Sequence, residues 1–319
     1  SSGSIVSNGT DATVNGSTLS GNATFTSTGN KLIFTSNGTI PGAASFQGDN
    51  PTITTNTFSS GVTLTGTNTG ENRVENNITD NDFNTTLDIN GSGHDLNGTF
   101  NIVTGKVTIG ALGLDTILNE TVMNGDLETE AGATGIDIIG ATIAETTTLN
   151  AAGTDIDDST FNGEVNGSGN TLTFNTNGDA ANQNTFAGAV TLSGTDIKMD
   201  NNQFNAGSTV TLSGNKPIFK DNTTAENQNI NVTIEGANNA AVLNATVTGN
   251  TLNESSNLVV NSDNSANTIN NNISGNNISG TLTESGAKND MDNNSSGSIV
   301  SNGTDATVNG STLSGNATF

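Results

Sequence analysis

The chain has 319 residues, 12% of them charged, and its 31 Asp and Glu against seven Lys and Arg leave a formal charge of −24. Leu, Ile, Val and Phe supply only about a fifth of it, three residues are Pro, and Trp, Tyr and Cys are absent. This excludes a nucleic-acid binder, which needs clustered Lys and Arg, a disulfide or thiolate-metal framework, and the broad core of a globular α/β enzyme.

Residues 1–25 read SSGSIVSNGTDATVNGSTLSGNATF, and residues 295–319 read the same, letter for letter. The copies begin at Ser1 and Ser295, an offset of 294 residues. Identity over such a length marks a tandem array, with residues 1–294 as one full unit and 295–319 as the start of the next. The Asn-x-Ser/Thr sequons at Asn8, Asn37, Asn84, Asn119 and Asn244 follow from a composition rich in all three residue types and argue only weakly for glycosylation. No leader-like segment and no apolar run of 18 residues occurs, so no membrane span is expected in these residues, and any export signal is expected outside them.

A shorter period runs through the unit. Phe25 and Phe46 are 21 residues apart, and Phe58-SSG-VTLTG is echoed by Phe100-NIVTGK-VTIG, Phe186-AGA-VTLSG and Phe204-NAGST-VTLSG. Between Leu114 and Asn124 some apolar residues have helical spacing, but Gly110, Gly113 and Gly125 leave room for one short helix at most. From Val190 to Thr209 the pattern is clearest: Val190 and Leu192, then Ile197 and Met199, then Phe204. Alternation in short bursts predicts brief strands with one buried face. It sends Val190, Leu192, Ile197, Phe204, Val210 and Leu212 inward and Thr191, Lys198 and Thr211 outward. Asn, Asp and Gly fall between the bursts, where turns need residues that accept left-handed backbone.

Three strands and three turns make one coil. The fold class is therefore all-β: a parallel β-solenoid with about 20–22 residues per coil and roughly 14 coils per unit. Stacking of equivalent positions predicts a ladder of Phe rings. It also predicts an amide ladder of inward Asn, with Asn202 and Asn215 as candidates.

These irregular coils with Asn-Gly turns, and the recurring VTLSG stretches at Val190–Gly194 and Val210–Gly214, resemble the right-handed parallel β-helices of bacterial surface adhesins of the filamentous-haemagglutinin type. The resemblance implies secretion and display at a bacterial cell surface.

Catalytic chemistry finds little material. A resemblance to the β-helical pectate lyases would require acidic metal ligands beside a basic residue, yet Arg73 is the only arginine and His94 the only histidine. Arg73 reads as a surface partner of Glu71 or Glu75, and His94, in Gly-Ser-Gly-His-Asp-Leu, as a surface turn residue. A Ser-His-Asp set would have to draw on that one histidine. In the densest acidic run, Asp155, Asp157 and Asp158 with Glu164 nearby, alternation is expected to send Asp155 and Asp157 outward opposite Ile156, as part of a solvated strand. Neither it nor Asp290 and Asp292 has the spacing of an EF-hand, so calcium stays an open candidate. Glycosidase carboxylates would lack Trp or Tyr platforms. Thr-x-Thr pairs at Thr63 and Thr65 and at Thr146 and Thr148 raise an ice-binding surface, but such surfaces need the pair in every coil.

The expectation is therefore a non-enzyme with no catalytic, cofactor-binding or metal residues to name. It is a structural or adhesive extracellular fibre whose partners are adjoining repeats, with lateral self-association or a surface or carbohydrate ligand as further candidates. The alternative is a carbohydrate-active or carbohydrate-binding β-helix protein.

Overall fold

The computed structural model describes residues 5–7, 11–26, 31–47, 51–65, 77–96, 101–175, 182–205, 207–236, 244–263 and 271–319. The chain divides into two compact units, Ser1–Asp155 and Ile156–Phe319. Each is built only of short strands, with no helix among the described residues, and each is a parallel β-solenoid. Leu114–Asn124 is extended as well, with strands at Ile117–Asn119 and Val122–Met123. Their inward side chains, Leu118 and Met123, are fully buried, so burial at a period of two overrides the helical spacing.

Stacking follows one rule: a strand pairs with the strand one turn further on. In the first unit Leu87–Ile89 lies between Val62–Leu64 and Val107–Ile109, and the series continues through Leu127–Thr129 to Thr147–Leu149, in register throughout. In the second unit Val190, Thr191 and Leu192 face Val210, Thr211 and Leu212, which face Val232, Thr233 and Ile234. The predicted inward residues Val190, Leu192, Ile197, Phe204, Val210 and Leu212 are all buried, whereas Thr191 is exposed and Lys198 and Thr211 are half-exposed. The chain forms about 13 turns of roughly 20 residues, slightly fewer than expected. Several turns are longer: equivalent positions are 25 residues apart from Asn56 to Asn81 and 28 apart from Asn222 to Asn250.

Phe rings stack as the spacing predicts. Phe25 lies 5.5 Å from Phe46 with planes 3° apart, and Phe34 meets both edge-on. In the second unit Phe161, Phe186 and Phe204 form a column with centroids 5.1 and 5.3 Å apart. These offset-stacked and edge-to-face geometries suit the ring quadrupole.

One corner of each turn is tight and has a recurring solution. Ser36, Thr55, Asp80, Glu120, Asn201, Asp221 and Asn293 all adopt positive φ, between 51° and 59°, a region costly for residues with a side chain. At the same corner of other turns stand Gly249 (φ 69°) and Gly275 (φ 65°). The residue that follows points inward and is usually Asn. Asn37, Asn56, Asn81 and Asn101 form one buried ladder in the first unit; Asn184, Asn202, Asn222, Asn250, Asn276 and Asn294 form another in the second. Asn250 shows the logic. Its Oδ1 accepts from the backbone N–H and Nδ2 of Asn222, at 3.0 and 3.1 Å. Its own Nδ2 donates to the Phe219 carbonyl and to Asn276 Oδ1, both at 2.8 Å. Backbone groups that the bend withdraws from the sheet ladder are thereby satisfied.

Asn202 belongs to this ladder, but Asn215 does not. It continues the strand Thr209–Asn215 opposite Thr195, past the tight corner's column. Asn250→Ala should therefore strand a buried donor and lower the stability of the second unit by about 1–3 kcal/mol. Asn215→Ala, which removes a side-chain oxygen buried without a hydrogen-bond partner, should not lower it. Urea denaturation followed by circular dichroism compares the two; equal effects would show that the ladder carries no special energy.

Candidate functional site

The residues singled out for chemistry are not brought together. Arg73, Glu71 and Glu75 lie outside the described residues. Asp155 is exposed and Asp157 half-exposed on either side of the buried Ile156, as alternation predicts, and Asp158 is exposed at the left-handed corner (φ 51°) just past the strand. Asp290 and Asp292 flank the buried Met291 in the same way. Among the described residues no three His, Asp or Glu converge in a metal-binding arrangement. The outward column through Thr63 and Thr148 runs Thr63, Asp88, Thr108, Glu128, Thr148, so carboxylates interrupt the threonine surface. The sequon residue Asn37 is buried in the amide ladder, so its side chain is not free for a glycan.

Basic residues gather on one outer face of the second unit. Lys198 and Lys216 line an open depression with Thr173, Asp196, Ile218, Asn244 and Thr246. Lys198 pairs with Asp200 at 3.3 Å, and Lys220 with Asp221 at 2.8 Å. Such exposed pairs contribute little, and the depression contains no nucleophile with a base beside it.

His94 is not the surface residue the sequence suggests. Gly93 adopts φ 74°, and this left-handed step turns His94 inward, just as Asp196 (φ 57°) directs Ile197 inward. His94 is 1% exposed, in line with the buried Thr116 and Ile136. Burial penalises the imidazolium and pushes its pKa down to about 4.

The most informative site is one the chemical search missed: the turn that occurs twice. Where both copies are described, they share strand register and corner geometry. Ile5 pairs with Ala23 and Ile299 with Ala317, in the same register. The Ile5 N–H donates to Asn22 O at 2.9 Å, and the Ile299 N–H to Asn316 O at 3.1 Å. Gly16 and Gly310 have φ of 59° and 62°. Their burial differs in a reciprocal way. Ile5 is half-exposed, whereas Ile299, seated on Leu282, is fully buried. Phe25, stacked on Phe46, is 1% exposed, whereas Phe319 is 80% exposed.

Where the second copy is seated, Glu284 is fully buried. The period of two in Leu282-Thr283-Glu284 sends it inward, a signal present in the sequence and overlooked there. Its carboxyl accepts from Asn289 Nδ2 at 2.6 Å, from the Ser301 hydroxyl, and from the Gly303 N–H at 3.3 Å. Asn271 Nδ2 in turn donates to Asn289 Oδ1 at 2.7 Å. The amide chain thus ends on an acceptor, and two of that acceptor's donors come from the repeated segment.

His94 gives a prediction with a definite sign. Above pH 6.5 the imidazole is neutral in both folded and unfolded chains, so its effect on stability is constant. Between 6.5 and about 4 the unfolded chain takes up a proton that the folded chain refuses. Stability should fall through that window by up to about 3 kcal/mol. The loss should be absent in His94→Leu, whose side chain suits the column. Denaturant midpoints of both chains across pH 4–7 measure it; parallel curves would mean that His94 is solvated when folded.

Comparison of the chain with protein-family models, with curated proteins and with solved structures finds no match.

Proposed function

We propose that the chain is a stretch of a structural or adhesive extracellular fibre, displayed at a bacterial surface and made of tandem 294-residue units. In this reading residues 1–294 are one unit and residues 295–319 open the next. The protein is not an enzyme, and its first partners are adjoining copies of itself.

The observation that carries the reading is the recurrence of residues 1–25 at 295–319, with the second copy seated in parallel register on Asn277–Ala287. A segment that fits after Asp292 and also before Lys31 is what a seamless array requires. The acidic surface suits such an assembly, because like charge keeps long polymers from clumping. Surface display and adhesion follow the resemblance to adhesin β-helices.

In a solenoid, stability is the sum of turn energies and nearest-neighbour couplings. A protein with two tandem units should therefore unfold at a higher urea midpoint than one unit with its overlap, because the joint adds coupling and removes two edges. Units joined as independent beads would share one midpoint, and that outcome would overturn the seamless array.

A further inference from the structure

We infer that the turn spanning residues 276–294 is a docking face for the N-terminal turn of a second copy of this chain, and that Glu284 is its selectivity element. The inference deepens the tandem reading and rests on it: the face that joins covalently linked units would also join separate molecules.

The occupant is defined because its sequence is already seated on the face. Ser295–Ser301 runs parallel to Asn277–Ala287, with Leu282, Thr283 and Glu284 opposite Ile299, Val300 and Ser301. Thr307–Asn309 lies beside Asn289–Asp292, and the Asn294 N–H donates to the Ser311 hydroxyl at 3.2 Å. Each of these residues recurs in residues 1–25: Ile5, Val6 and Ser7, then Thr13–Asn15, then Ser17. Ser17 already opens the first unit's ladder, its N–H donating to Asn37 Oδ1 at 3.0 Å. An incoming copy would therefore meet Asn294 with Ser17 and carry the amide ladder onward. Val300, the counterpart of Val6, is half-buried between Thr283 and Thr318.

Glu284 makes the face selective. A buried carboxyl without donors is costly, and here Ser301 and Gly303, the counterparts of Ser7 and Gly9, supply two of them. Other edge strands could match the backbone ladder but not this socket. Fit is also steric. A Cβ on Gly303 would lie 2.4 Å from Gly286 O and 2.6 Å from Glu284 Oε2, and one on Gly297 2.6 Å from Ser279 O. Only glycine passes at both points. The contact is head-to-tail, so it does not close and would propagate as a filament.

The test keeps the full chain. Gly297→Val with Gly303→Val should lift residues 295–319 off the face, seen as new protease cleavage there, while Gly3 and Gly9 stay intact. The bared face should then take the N-terminal turn of another molecule, giving concentration-dependent oligomers in sedimentation. Adding Gly3→Val and Gly9→Val should restore the monomer, and adding Glu284→Leu instead should weaken association at least about tenfold. Three outcomes would overturn the inference: a tail that stays protected, a released tail with no association, or association that survives the Gly3 and Gly9 changes. Each leaves the tandem array standing, since the two-unit unfolding experiment decides that separately.

Discussion

A turn of about 20 residues carries roughly half a dozen inward side chains, too few to offset the entropy of ordering it. Everything else in this protein follows from that shortage. A turn is stable only between two others, so apolar positions must coincide from turn to turn, and aromatic rings, aliphatic side chains and backbone strands stack in columns.

Polar groups obey the same stacking rule. The left-handed corner lets the chain change direction in very few residues, and it removes backbone donors and acceptors from the regular ladder. An Asn just after the corner restores them, having both a donor and an acceptor on one short side chain. Once one turn uses Asn, its neighbours do best with Asn too, since each amide needs a partner above and below. Ladders of this kind show how so polar a chain can be ordered: the Asn side chains that it places inside are hydrogen-bonded from turn to turn. The first unit's ladder gives way to Thr121 and Ala141 at the next two corners, where a hydroxyl or a small apolar group fills the position instead.

Glu284 is the exception that locates the joint. Carboxyl groups are poor core residues, and this one is tolerable because the duplicated segment brings donors to it. Had the partners been ordinary strand residues, Val or Leu at this position would have matched Val260 and the column behind it.

Much was legible in the sequence for one reason: a solenoid repeats its local rules. Alternation in Val190–Thr209 determined which side chains face inward, the Phe spacing determined the ring columns, and the identity of residues 1–25 and 295–319 determined a tandem unit. What sequence could not resolve were positions whose meaning depends on where the corner falls. Asn202 and Asn215 look equivalent in composition and neighbourhood, and only the fold puts one in the ladder and the other on a strand. His94 sits in a stretch that reads as surface turn, yet the left-handed Gly93 swings it into the core. Glu284 satisfies the inward period, but an acidic residue there makes sense only once Ser301 and Gly303 are seen across from it. Period and propensity are local quantities, readable along the chain. Burial of a polar group is decided by partners one turn away, 17 and 19 residues distant for Glu284, and only the folded stack brings them within hydrogen-bonding reach.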